Sequence, residues 1–168
     1  MNKTKKITIA GITGTAFMTL FSYIVSMVKK EDFSEPEHLA TMLHRLVPGT
    51  SKKLNQIAGW NAHFAVGLLF ATAYVELWEA GKIKPSVKNA VLLGAVSGLL
   101  AVAVWKLTFK MHPLPPWINY NKYYIQLVPA HVVFALFATL AYRLWQNQDA
   151  DVHKATLHKS LFNIAPGA

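Results

Sequence analysis

Four long apolar runs follow one another along the chain, at residues 7–28, 57–78, 87–109 and 123–145, and most of the charge lies between them. Each run matches the ~20 residues that a helix needs to cross the hydrocarbon core of a bilayer. An unpaired peptide group in lipid costs on the order of several kcal/mol, so runs of this length predict helices that bond their backbones internally, and strand pairing is no competitor. Trp60, Trp78, Trp105, Trp117, Tyr123, Tyr124 and Trp145 fall near the ends of the runs, where amphipathic rings favour the headgroup level. The first run is uncharged from Ile7 to Val28 and is bracketed by Lys5, Lys6, Lys29 and Lys30. It is longer than the apolar stretch of a cleaved leader and does not end in a small-x-small site, so it predicts an anchor.

Between the first two runs, Ser34-Glu35-Pro36-Glu37 predicts a helix start in which Ser34 caps the helix and Glu37 returns the bond. Leu39, Met42, Leu43 and Leu46 then recur at helical spacing, which predicts a short amphipathic helix over residues 35–46 lying along the membrane surface. The stretch His112-Pro113-Leu114-Pro115-Pro116 forbids helix continuation and predicts an extended turn. His38 and His112 are expected on the solvent side. The fold class that results is all-α: one integral membrane domain over residues 1–168, a four-helix bundle with one interfacial helix.

The second and fourth runs superpose at an offset of about 68 residues, placing His63 on His131, Gly67 on Ala135, Ala71 on Thr139 and Tyr74 on Tyr142. Steps of four, four and three put each set on one helical face. The first and third runs share a small-residue face, Gly11, Gly14, Thr15 and Met18 against Gly94, Ser97, Gly98 and Ala101. Gly94 and Gly98 have the GxxxG spacing that lets membrane helices approach closely. Two hairpins in pseudo-twofold repeat are therefore expected, with His63 and His131 as symmetry mates at equal depth.

Charge changes the picture less than its size suggests. The net charge of +9 would point to nucleic acid in a soluble protein, but here the lysines lie between apolar runs, where they meet lipid phosphates. Membrane lipids are the expected partner, and nucleic acid is not. With both termini on one side, nine basic residues lie on that side and eight on the other, and the cluster of Lys3, Lys5 and Lys6 sets the expectation that the termini are cytoplasmic. There is no cysteine, which excludes disulfides, thiolate metal sites and thiol catalysis.

Gly11-Ile-Thr-Gly14-Thr15-Ala-Phe-Met18-Thr19, Glu35-Pro36-Glu37-His-Leu39-Ala40-Thr-Met42-Leu43 and the two His-to-Tyr patterns together resemble the YagU-like families of small bacterial inner-membrane proteins. The resemblance implies a multi-pass protein of the bacterial cytoplasmic (inner) membrane and brings no activity or cofactor with it. The third run departs from the pattern at Lys106 and Lys110.

Ionisable side chains inside a membrane are costly, so His63 and His131 are the candidate functional residues. Asn61, Gln126, Ser22 and Ser26 are expected at the same depth as a polar cluster, with Tyr23 beside them. Three readings follow. In the first, neutral imidazoles exchange hydrogen bonds with this cluster and the protein is an accessory or structural membrane protein, partnered by another membrane protein or a second copy. In the second, His63 and His131 are axial ligands to a b-type haem, with Gly67 and Ala135 leaving room for the macrocycle. In the third, the polar site carries a small solute or a proton. The first is the reading adopted, with no cofactor. No metal site is expected, and no buried carboxylate: Glu76 and Glu79 are read as solvated charges beside Lys82, and Tyr74 and Tyr142 as interfacial anchors. An enzyme is not expected, because the chain has no Ser/His/Asp set, no GxSxG, no HExxH and no phosphate-cradling glycine loop.

Overall fold

The computed structural model describes residues 2–47 and 49–163, with side chains as far as Gln146. Five helices account for it: α1 (Lys3–Lys29), α2 (Glu35–Leu46), α3 (Lys52–Glu79), α4 (Val87–Met111) and α5 (Tyr120–Asn163), with no strand among the described residues. All four apolar runs and the amphipathic segment lie inside these helices. Helix α1, helix α4 and the Tyr120–Gln146 part of α5 are each long and apolar enough to cross a membrane, which is compatible with a membrane protein. Helix α3 is as long as any of these, 28 residues, but Asn55, Gln56, Asn61 and His63 dilute its apolar character.

Local chemistry sets the helix ends. Asn2, Ser51 and Ser86 accept bonds from the backbone amides of Thr4, Leu54 and Asn89, which satisfies donors that the first turn leaves open. The cap expected at Ser34 does not form: its side chain makes no capping bond and its hydroxyl is buried without a partner. This start of α2 is drawn into the protein, with Pro36 in the first turn and the Glu35 side chain turned toward α1.

Helices α1 and α3 pack as one antiparallel hairpin, α4 and α5 as another, and α1 lies against α5, giving the lateral order α3, α1, α5, α4. Small residues permit the contacts. A methyl group on Gly94 would lie 2.5 Å from the Val132 Cα, and one on Gly98 2.7 Å from the Val128 Cα, so α4 and α5 touch backbone to backbone. Gly14 admits the Phe134 ring of α5, Gly67 admits Thr15, and Gly11 lies against Leu68 and Ala71. Ala135 is fully buried in the same core.

The two hairpins do not pack in the same register. Gly11 meets Ala71, so an exact repeat would set Gly94 against Thr139; it meets Val132 instead, seven residues away and about 10 Å along the axis. The physical reason is that α3 brings its own glycines to its contacts, whereas α5 brings valines and leaves Gly94 and Gly98 to fix the crossing.

Helix α2 does not lie loosely on a surface. Its backbone crosses α3 at Gly59, where a methyl group would be 2.5 Å from the Pro36 carbonyl oxygen, and Glu35, Pro36, His38, Ala40 and Met42 are all buried. Its other end is fastened to the turn between α4 and α5. Arg45 donates to the carbonyls of Leu114 (3.1 Å) and Pro115 (2.6 Å), and His112 Nε2 donates to the Met42 carbonyl (3.1 Å). At the opposite end of the protein, Lys3 pairs with Glu76 and Lys6 with Glu79, so these acids tie α1 to α3 rather than sitting beside Lys82.

Candidate functional site

Thr15, Thr19, Ser22 and Ser26 lie on one face of α1, at steps of four, three and four, and form a seam of hydroxyls directed inward. Thr15 donates to the Gly11 carbonyl (2.7 Å), Thr19 to the Thr15 carbonyl (2.8 Å) and Ser26 to the Ser22 carbonyl (2.7 Å). Ser22 is the exception, because its proton goes to Glu35 Oε1 at 3.1 Å, and its oxygen accepts from Gln126 Nε2 at 2.9 Å. A buried carboxyl, a serine and a glutamine from α2, α1 and α5 thus form one chain.

His63 lies one turn further along the seam. With the Thr19 hydrogen committed to the Thr15 carbonyl, His63 Nε2–H donates to Thr19 Oγ1 at 2.9 Å, which leaves Nδ1 as the lone-pair nitrogen. His131 has the opposite arrangement: its Nδ1–H donates to the Leu127 carbonyl at 2.8 Å, leaving Nε2 open. His131 packs edge-on against Phe70, with ring centroids 5.4 Å apart, and lines the same cavity as His63. Helix α1 meets Gly67 at Thr15 and Phe134 at Gly14, so α5 lies beside α3 with His131 within about one turn of the level of His63, and the slid register of the second hairpin displaces α4.

A cavity of about 450 Å³ opens between α3 and α4. These helices meet near their shared turn, where Tyr74 donates to Ser97 Oγ at 2.5 Å, and they part further along. Val66, Leu69, Leu100 and Val104 form exposed apolar walls; Thr15 and Met18 of α1 and His131 and Phe134 of α5 lie behind them. Glu35, His63 and Trp105 close the end nearest α2.

Among the predicted cluster residues, Ser22 and Gln126 come together. Ser26 is a turn away, where its oxygen accepts from the Phe33 amide at 3.0 Å and fixes the α1–α2 connection. Asn61 is exposed on another face of α3 and joins none of them. Tyr74 and Tyr142 are buried and not surface anchors. His38, expected in solvent, is only 2% exposed; its Nε2 donates to the Asp32 carbonyl at 3.2 Å and its ring meets the edges of Tyr123 and Trp105. Burial holds its imidazole below the ordinary value, and Asp32 pulls the other way.

Glu35 is the residue that sequence reasoning missed. It is 2% exposed, and burial pushes its carboxyl up to about 8, against the opposing effect of its backbone hydrogen bond and the Ser22 hydroxyl. Among the described residues its Oε2 has no partner, and neither do the buried Tyr123 hydroxyl, Gln126 Oε1 and Ser34 Oγ. One signal was available: four of the eight acidic residues, Glu31, Asp32, Glu35 and Glu37, crowd into seven positions between two apolar runs. No cluster of three or more His, Asp or Glu side chains that could hold a metal occurs among the described residues. Comparison of the chain with protein families, curated proteins and solved structures finds no match.

Proposed function

We propose that this is a non-catalytic multi-pass membrane protein, crossing the bilayer four times, whose accessory role is to bind a small apolar or amphipathic molecule that enters from the lipid between α3 and α4. The carrying observation is the cavity itself: its volume is in the range of small-molecule sites, its walls are mostly apolar, and Glu35, His63 and His131 are the ionisable groups on its lining, with Thr15 and Thr108 beside them. Exposed Val66, Leu69, Leu100 and Val104 at its mouth face the acyl chains when the four helices span. The placement in a bacterial inner membrane with cytoplasmic termini rests on the YagU-like motifs and the N-terminal lysines.

The test uses the full chain in lipid nanodiscs and a diazirine-bearing fatty alcohol. Labelling should concentrate on α3 and α4, and Val66→Trp and Val104→Trp, at exposed positions on the walls, should suppress it. Labelling spread evenly over all helices, and unchanged by both variants, would overturn the reading.

Haem is the second reading, favoured by one observation: the Nδ1 bond of His131 to the Leu127 carbonyl leaves Nε2 free, which suits a metal ligand. A Soret band in the purified protein that disappears in His131→Ala would establish it; a colourless protein reconstituted with haemin and still colourless after gel filtration would dismiss it.

A further inference from the structure

An apolar cavity in a membrane protein needs no carboxyl at its end. Glu35 is nonetheless there, and among the described residues no cation is paired with it: Ser22 occupies Oε1, Oε2 is buried without a partner, and no lysine or arginine reaches it. Burying an ionisable group without a partner is expensive, and evolution keeps such groups in membranes where they meet a ligand or an ion. Other buried acceptors and hydroxyls lie near Glu35: Tyr123 OH, which senses its charge, and Gln126 Oε1, on the side chain that donates to Ser22; both are unpartnered among the described residues. A donor with several hydrogens satisfies this set; an anion does not.

The remaining shape fits such a donor with one chain attached. Trp105, an aromatic side chain of the type that attracts cations, lines the same cavity as Glu35. From His63 to Ala73 the cavity runs along ten residues of α3, about 15 Å, between apolar walls. A single alkyl chain fills that length; a two-chain phospholipid exceeds the volume.

We infer that the cavity binds a single-chain amphiphilic amine, with the ammonium head against Glu35 and Trp105 and the chain between α3 and α4. The inference rests on the ligand-binding reading above and narrows it to one class of ligand. Ammonium and carboxylate form a charge-assisted pair inside a low-dielectric site, and the walls remove the chain from competing contacts.

Dodecylamine and dodecanol, equal in chain and different in head, are titrated against the full chain in zwitterionic nanodiscs, using displacement of the diazirine-bearing fatty alcohol as the readout. Dodecylamine should bind at least roughly tenfold more tightly than dodecanol in the unaltered protein. In Glu35→Gln that preference should vanish while dodecanol affinity stays within about threefold, and Glu35→Asp should restore part of it. Failure of both ligands to compete would sink the cavity reading and this inference together. Equal competition by the two in the unaltered protein, or an amine preference that survives in Glu35→Gln, overturns the amine assignment and leaves the cavity reading standing. The comparison within the unaltered protein decides the matter even if the Glu35 variants fail to fold.

Discussion

Replacing Glu35 by Gln keeps the shape of the side chain and removes its capacity to ionise, so it should change how stability responds to pH. In the folded protein the carboxyl retains its proton up to about pH 8, whereas the unfolded chain releases it near 4.5. Between those values the folded state binds the extra proton. Stability is therefore full below the lower value, declines as pH rises, and levels off above the higher one. At about 1.4 kcal/mol per unit, the interval amounts to on the order of 5 kcal/mol, an upper figure because relaxation and water entry reduce it. The titratable groups near Glu35 are Asp32 from its own segment, Tyr123 from α5 and His63, which lines the same cavity from α3, with Ser22 and Gln126 adding no charge. His38 contributes its own slope, which both proteins share and which cancels in their difference. Reversible unfolding of both proteins in mixed micelles should show near-equal stability at about pH 5 and a Glu35→Gln variant more stable by several kcal/mol at about pH 9. A difference that stays constant over that range would refute the buried, protonated carboxyl.

Other substitutions test the packing and the hydrogen bonds. Gly94→Ala forces a methyl group onto the Val132 backbone and should destabilise by about 1–3 kcal/mol, read as loss of α4–α5 association in mixed micelles. Thr19→Val removes the acceptor of His63 Nε2–H inside the core and should cost about 1–3 kcal/mol, with a shifted imidazole resonance reporting the broken bond. Tyr74→Phe deletes the hydroxyl that joins α3 to α4 at Ser97; a loss of roughly 0.6–2 kcal/mol in the same assay is expected. Asn61→Ala, at an exposed position, should leave stability within about 0.5 kcal/mol.

The helices were legible in the sequence because each apolar run is long enough for only one backbone solution, and because Lys5, Lys6, Lys29 and Lys30 mark the ends of the first run. The small residues were legible too: Gly67, Gly94 and Gly98 stand where two helices nearly touch. Register was not, because the offset that aligns His63 with His131 reports shared ancestry or composition, while the crossing point depends on which partner carries the glycine. Burial in α2 was hidden for a related reason. Glu35, Glu37 and His38 are polar in any pattern, and only the crossing at Gly59 sends Glu35 and His38 inward. The site was half visible: Ser22 and Gln126 stand out in the sequence, but the carboxyl of Glu35 that accepts from Ser22 lies in a helix start where no buried acid is expected.

Helix α2 carries Glu35 at one end and at the other is bolted, through Arg45 and the Met42 carbonyl, to the bend that follows α4. Swinging the end of α4 away from α3 must either snap those three bonds or drag α2 with it and withdraw the carboxyl. Width of the opening and placement of the acid are hence one mechanical variable, and a guest that wedges the entrance apart would also reset the charge awaiting it.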